Sequence, residues 1–345
     1  MPALDTIKYH FTNNIGLLYV VLSEFFYSFM NVSVKVLGSI DPPVTVLQLI
    51  AVRMIITYLF SLAYMSALRV PHLLLGPPKV RMLLFCRGFF GFFGLFGIYF
   101  SLQYLSLSDA TVLTFLAPLC VAITSSILLH EPFTRKEAIA GVISLIGVVF
   151  IARPPFLFGG FDLGKAPGGV TTAQRMLAVG ASLIGVVGTT GAFTSIRAIG
   201  MRAHAMHSMA YFSFHSVLVS SIGMMATQTP FIVPTRITWL LMLLLIGTFG
   251  FCAQLFMTIG LQKEKAGRAS MGVYTQVIFA LIFERIVFGT TPPWLSVFGT
   301  LLILGSAMYV AVTKEEPEEK KVIREWEDAD AEQGEREALL GGRRA

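Results

Sequence analysis

Glu24 places a carboxylate inside a long apolar run, and Tyr27, Ser28, Asn31 and Lys35 follow it at spacings of three, four, seven and eleven. On a helix those intervals fall along one stripe, so the acid heads a continuous polar face. A charged side chain at the centre of a membrane span costs roughly 2.5 to 3.5 kcal/mol on insertion scales, and it persists where a wet cavity or a partner compensates it. Arg53 lies in the next apolar run, Arg87 in the one after that, and His215 in a later one. Arginine stays charged whereas histidine titrates near neutrality, so the set offers anion capture by guanidinium and proton exchange through Glu24 and His215. Gln103, Gln254, Gln262, Tyr274 and Gln276 add uncharged hydrogen-bonding groups that either a passing solute or a neighbouring helix can satisfy. The same residues also admit structural roles: Arg53 as the partner of Glu24, His215 as a satisfied core histidine, Arg87 as a side chain snorkelling to the interface.

No other chemistry is spelled out. The chain holds no HExxH, no GxSxG and no paired intramembrane aspartates, so neither a metal centre nor a nucleophile recommends an enzyme, and no cofactor is expected. Cys86, Cys120 and Cys252 fall inside apolar runs without a CxxC spacing, which leaves disulfide and zinc readings without support.

The elements that must carry these residues are membrane spans. At 55% hydrophobic and 13% charged residues, the chain has more apolar surface than one soluble core can hide. Ten runs approach the roughly 20 residues that a hydrocarbon core requires: Asn14 to Leu37, Val44 to Leu68, Met82 to Tyr104, Thr111 to Leu129, Ala138 to Ala152, Gln174 to Ile199, Ala205 to Thr227, Thr238 to Leu261, Ala269 to Phe288 and Pro293 to Val312. Strand-like alternation is missing, which excludes a transmembrane barrel. The fifth run has the least distinct start, because Arg135-Lys136-Glu137 is charged. No cleavable signal is expected ahead of the first run, which itself serves as the insertion signal.

The second half of the chain echoes the first. Ser33-Val34-Lys35-Val36-Leu37-Gly38 returns 162 positions later as Ser195-Ile196-Arg197-Ala198-Ile199-Gly200, and Gly91, Gln103, Gly141 and Gly147 reappear as Gly250, Gln262, Gly299 and Gly305 at slightly shorter offsets. Five spans per copy is an odd number, so the second copy inserts upside down, giving an all-α integral membrane fold of ten transmembrane helices in two inverted five-helix repeats. The expected organisation is a first repeat over 1–153, an inter-repeat loop over 154–173 rich in proline and glycine, a second repeat over 174–313 and a disordered charged tail over 314–345. The same offset of 162 sets His215 against Arg53, predicting that the two bases face each other across the pseudo-two-fold axis. Pro118 in the fourth span predicts a kink, and its later-copy counterpart is Gln276. Glycines at 88, 91, 94 and 97 and at 180, 185, 188 and 191 predict close helix contact.

Arg69, Lys79, Arg81, Arg135, Lys136, Arg202, Lys263, Lys265 and Arg268 would all lie in loops on one side, which predicts both termini in the cytoplasm. The tail holds eleven of the 20 acids and seven of the 26 bases, leaving the spans and their loops with 19 bases against 9 acids, a net charge of +10. That excess suits anionic lipid on the cytoplasmic face and an anionic solute within, whereas no basic face with stacking aromatics points to nucleic acid. Glu335, Leu339 and Leu340 form an acidic dileucine pattern of the kind that sorting adaptors read, so both the plasma membrane and an endomembrane such as the vacuole or Golgi remain open. A homodimer through the fifth and tenth spans is a further open alternative.

Leu102-Gln103-Tyr104-Leu105 with Asp109-Ala110-Thr111, then Leu116-Ala117-Pro118, then His130-Glu131-Pro132-Phe133-Thr134, and the later Gly260-Leu261-Gln262 with Ala266, together resemble the EamA family of the drug/metabolite transporter superfamily, in its ten-span form that includes the solute-carrier-35 proteins. The resemblance covers about residues 14 to 313, with departures where Gln276 replaces the proline and Gly289 the glutamate. It implies a central cavity lined by spans one, three, four, six, eight and nine, and transport rather than catalysis, with no single substrate class. The function expected is a secondary transporter of a small organic metabolite, anionic by charge, with proton coupling and exchange both open. The alternative is a non-transporting membrane scaffold that recruits partners through its charged tail.

Overall fold

The chain's apolar runs wind into helices because a backbone surrounded by lipid must satisfy its polar groups within the segment. In the computed structural model, residues 14–38, 45–101, 104, 113–152, 157, 171–229, 231–233, 237–289 and 294–312 are described. Among them there is no strand. The helices are α1 (Ile15–Gly38), α2 (Val46–Ala67), α3 (Arg81–Ser101), α4 (Ala117–Leu128), α5 (Arg135–Ala152), α6 (Thr172–Ile199), α7 (Ala205–Ala226), α8 (Ile237–Lys263), α9 (Ala266–Met271), α10 (Thr275–Phe288) and α11 (Trp294–Val312). Each of the ten predicted intervals overlaps a helix, the ninth being divided between α9 and α10 by the 3-10 turn Gly272–Tyr274. Among the described residues, seven segments are long and apolar enough to cross a membrane, whereas α4 and α11 are shorter apolar helices. Gln103, the inter-repeat loop and the tail with Glu335, Leu339 and Leu340 lie outside the described residues. Among the described residues, the helices pack into one compact unit that ends at Val310.

Local signals set several boundaries. Thr171 and Gln174 exchange backbone and side-chain hydrogen bonds in a capping box that starts α6, and Thr134 and Glu137 do the same ahead of α5. His130, at φ 53°, and Gly289, at φ 68°, take the left-handed conformation that ends α4 and α10.

Burial is inverted relative to a soluble protein. Met82, Ile127, Val187 and Leu301 are among the most exposed side chains, while Glu24, Gln48, Arg53, Arg87, His207, Gln254 and Arg268 are buried. An apolar exterior over a polar interior is the pattern that lipid imposes.

The tightest pairings are α3 with α6 and α1 with α8. In the first, Gly97 abuts Gly185 and Gly94 abuts Thr189, so α3 and α6 run antiparallel, backbone against backbone. Gly91 instead meets Phe212 and Gly88 meets His215, both on α7, and a side chain at Gly180 would meet open space. In the second pairing, Gly16 packs on Glu264 and Gly260, and Tyr27 reaches Gln254.

Helices at matching places in the two halves also touch. Met65 clusters with Met206 and Met209, and Leu47 lies by Gly223, so α2 and α7 are antiparallel. Ala122 meets Gly267, and Ser270 donates to the Pro118 carbonyl at 3.0 Å, so α4 and α9 are antiparallel too. Ser144 bonds Ser306 at 2.5 Å and Gly147 abuts Gly299, giving α5 and α11 the same relation.

Candidate functional site

The centre of the bundle is polar because α1, α2, α3 and α8 each turn a charged or amide side chain inward. Glu24 on α1 is 1% exposed, and its Oε2 has no hydrogen-bond partner among the described residues. One turn on, Tyr27 donates to Gln254 Oε1 of α8 at 2.6 Å, and Gln254 is itself buried. The Arg53 guanidinium from α2 lies over the Tyr27 ring, 5.9 Å from its centroid, and the Arg87 guanidinium from α3 lies 4.2 Å from the Phe212 centroid. Such placement is a cation–π contact, which stabilises a desolvated cation without neutralising it. The Nε atoms of both arginines are buried without a partner among the described residues. Tyr27 stands within electrostatic range of Glu24, Arg53, Arg87 and Tyr99, which makes these side chains one cluster.

Glycines hollow out the places for both guanidiniums. A side chain on Gly250 would press on Arg53 Nε, and one on Gly91 would press on the Arg87 guanidinium and Phe212. Gly91 and Gly250 are the repeat-related pair of the sequence, and each lies beside one cation: Gly91 beside Arg87 of its own helix, Gly250 beside Arg53 reaching across from α2. The repeat offset predicts His215 as the symmetry partner of Arg53, and the structure puts His215 elsewhere. Its Nδ1 meets the Tyr211 carbonyl at 2.7 Å, and its ring packs against Phe85, Tyr211 and Phe214. Phe85 and Phe214 are exposed, so His215 belongs to an aromatic patch toward the outer surface. The cation that shares the Tyr27 cluster with Arg53 is Arg87, a residue that composition could not rank above an interfacial anchor.

The other candidates separate in the same way. Among the described residues Arg53 makes no ion pair with Glu24, and Arg87 is 3% exposed, so it does not snorkel. Asn31 is exposed. Gln276 joins α10 to α1 through its backbone carbonyl, which accepts from Ser28 Oγ at 3.0 Å. Tyr274 is fully buried, stacks on Phe115 and donates to the Phe115 carbonyl at 3.1 Å, which commits its hydroxyl to packing. Gln262 Nε2 donates to the Ala203 carbonyl at 3.1 Å.

Pro118 stands in the first turn of α4, and the fourth span is interrupted just before it, at Phe115 and Leu116. Bending therefore takes the form of a break between short helical pieces, because a proline at a helix start costs no hydrogen bond. The Gly272–Tyr274 turn is its counterpart in the ninth span, and the Tyr274 hydroxyl on the Phe115 carbonyl ties the two breaks together.

Two tyrosines join the cluster with unequal warning. Tyr27 is legible in the sequence as part of the Glu24 stripe, whereas Tyr99 carries no signal that sets it apart from the chain's nine other tyrosines.

With this geometry established, the relatives decide the class. The profile of the EamA-like transporter family matches residues 14–153 and again 176–312. The chain belongs to the EamA-like transporter family. A probable transport protein of Saccharomyces cerevisiae is 39% identical over 316 residues, spanning 86% of this chain and 88% of its own length. Solute carrier family 35 member G1 of Homo sapiens is 29% identical over 300 residues, spanning 87% of this chain and 80% of its own. A solved crystal structure superposes with a TM-score of 0.70 at 17% identity, covering 87% of this chain and 98% of its own, which shows a shared fold. This EamA-like chain is thus a multi-pass integral membrane transporter and not an enzyme. Two buried guanidiniums, neither in an ion pair among the described residues, lie at the centre of its bundle.

Proposed function

We propose that the chain is a secondary transporter that moves a small organic anion by alternating access, with Arg53 and Arg87 engaging the anion and Glu24 carrying a proton or competing with the solute. The observation that carries this reading is the imbalance of the central cluster: two buried guanidiniums face one carboxylate, and among the described residues none of the three forms an ion pair with another. A buried charge without a partner costs several kcal/mol, so such a cluster is stable when an anion completes it. Tyr27 and Gln254 add a hydroxyl and an amide to orient that anion, while Asn31, Gln103, Tyr274 and Gln276 take secondary or structural parts.

The architecture in this proposal is ten spans in two inverted repeats, 1–153 and 174–313, joined by 154–173. Three helix pairs at matching positions, α2 with α7, α4 with α9 and α5 with α11, run antiparallel, as inversion of the second copy demands. The basic loops gather at the end where α1 begins and α8 finishes, which supports cytoplasmic termini. The tail, 314–345, serves sorting through Glu335, Leu339 and Leu340 rather than transport.

Purified full-length protein in sealed vesicles tests this. Radiolabelled organic anions should enter, and loading the vesicles with unlabelled anion or imposing a pH gradient should accelerate entry. No uptake of any anion set apart by comparing metabolites of cells with and without the protein, alongside uptake of a cation, would overturn the charge argument.

A further inference from the structure

Outside the central cluster, an ion pair joins the two halves. Glu131 follows α4 and Arg197 lies in the last turn of α6, and Arg197 Nε, its side chain 26% exposed, donates to Oε1 of Glu131, 13% exposed, at 2.5 Å. The pair is built into its surroundings: Glu131 Oε2 accepts from the Ala266 backbone N at 2.8 Å, and Arg197 Nη1 donates to the Gln262 carbonyl at 3.0 Å. Four segments are thereby tied at one point, namely the α4–α5 connection, α6, the end of α8 and the start of α9. The left-handed backbone of His130, φ 53°, makes the abrupt turn just before Glu131. A non-glycine residue is strained in that conformation and holds it where the surroundings require it.

Beneath this tie, toward Tyr27 and Gln254, Val20, Ile196, Met257, Leu261 and Ala269 close into a buried apolar cluster. A path from the basic end to the central guanidiniums is therefore shut twice, by the ion pair and by the plug below it. The second repeat does not encode the same tie for the opposite end. Gly289, which stands in the second copy where the first has Glu131, takes a left-handed backbone with open space around it, and Thr290 follows it, so no carboxylate is present there. Arg197 has its counterpart in Lys35, so the matching place in the other copy keeps a cation and lacks the carboxylate.

We infer that Glu131 and Arg197 form a one-sided latch, which holds the basic end closed and biases the transporter toward the state open at the other end. This rests on the alternating-access reading above. The latch sets how often the chain opens toward the basic end, whereas the solute contacts set what it carries.

The test is a cysteine at Thr194, one turn of α6 from Arg197 toward the central cluster, 6% exposed and with an unpartnered hydroxyl. Full-length Thr194→Cys protein in vesicles of sorted orientation is treated with a membrane-impermeant maleimide from the basic-end side, and labelling of residue 194 is followed by peptide mass spectrometry. Glu131→Gln and Arg197→Gln should each raise the labelling rate roughly tenfold, the size expected for loss of a coupling of this kind. The double exchange Glu131→Arg with Arg197→Glu should return it toward the parent. Should the glutamine variants fold poorly, Arg197→Lys keeps the charge but cannot reach both Glu131 and the Gln262 carbonyl, and it should raise labelling by a smaller factor. Rates within about twofold of the parent for the single variants, or a double exchange that labels as fast as they do, would overturn the latch. Anion uptake in the same vesicles is scored separately: labelling that responds while uptake is absent retires the transport reading and keeps the latch, and the reverse pattern does the opposite.

Discussion

Two sets of acid and guanidinium sit in this molecule, and their states differ. Glu131 and Arg197 are partly exposed and satisfied, each with a second hydrogen bond to backbone. Glu24, Arg53 and Arg87 are almost fully buried, and atoms of each lack a partner among the described residues. A buried charge gains more from a partner than a partly exposed one does, so stability alone would place the partners the other way round. On the transport proposal above, the difference means that the central charges are left for a solute to complete. Structural pairs close their hydrogen-bonding inventory within the protein, whereas a binding cluster leaves it open.

The comparison breaks first at the arginines. Replacing Arg53 or Arg87 by alanine should leave insertion intact and reduce anion uptake on the order of a hundredfold, since removal of a desolvated charged contact is worth a few kcal/mol. Uptake at the parent rate would move these residues to the structural side. Glu24→Gln comes next. It should preserve expression and flatten the dependence of uptake on pH, because the amide keeps the shape of the carboxyl and cannot exchange a proton. A profile unchanged from about pH 5 to pH 8 in the parent itself would remove Glu24 from coupling and leave it a spacer between the two guanidiniums.

How far the sequence already held this division is visible in particular residues. Seven spans were legible because lipid permits few backbone solutions, and length and hydropathy report them directly, whereas the fourth, fifth and tenth intervals hold helices outside that set. The Gly91 and Gly250 pair was legible as an echo, yet its use was not: a glycine in a span signals close approach without saying whether a helix or a guanidinium comes near. His215 misled for a related reason. The offset of 162 gives equivalent backbone positions, but a side chain's direction depends on what fills the space around it, and at 215 that is Phe85 and Phe214. Glu131 stood in the sequence as part of a family-like stretch, while its partner Arg197 lay 66 residues away with only Lys35 as a hint. Long-range pairs of this sort carry no local periodicity and become visible only once the helices are packed.

A middle-sized effect separates packing from transport. Gly97→Leu forces a side chain into the Gly185 backbone across the α3–α6 contact. Overpacking of a tight contact costs typically about 1–3 kcal/mol, so the variant should lose thermal stability in detergent and lose uptake with it. The arginine variants, by contrast, should lose uptake at nearly unchanged stability. If Gly97→Leu melts like the parent while uptake vanishes, the glycine seam is a moving surface, and the boundary between scaffold and site must be redrawn through it.

The smallest expected effect gives the sharpest division. Tyr27→Phe removes one hydroxyl and with it the 2.6 Å bond to Gln254, while the ring beneath Arg53 remains. A hydrogen bond within a membrane protein contributes about 0.6 kcal/mol on average, so stability should fall only slightly. If Tyr27 merely locks α1 to α8, uptake should fall little and the apparent affinity for solute should not move. If its hydroxyl and the Gln254 amide orient an anion held by the guanidiniums, half-saturation should rise several-fold while the maximal rate stays within about twofold, because the lost contact then belongs to the bound solute. Gln254→Leu should reproduce that shift, and the double variant should add little to either single change, since both remove one shared contact. Additive losses would show Tyr27 and Gln254 acting independently, and the polar cluster would then end at its three charges.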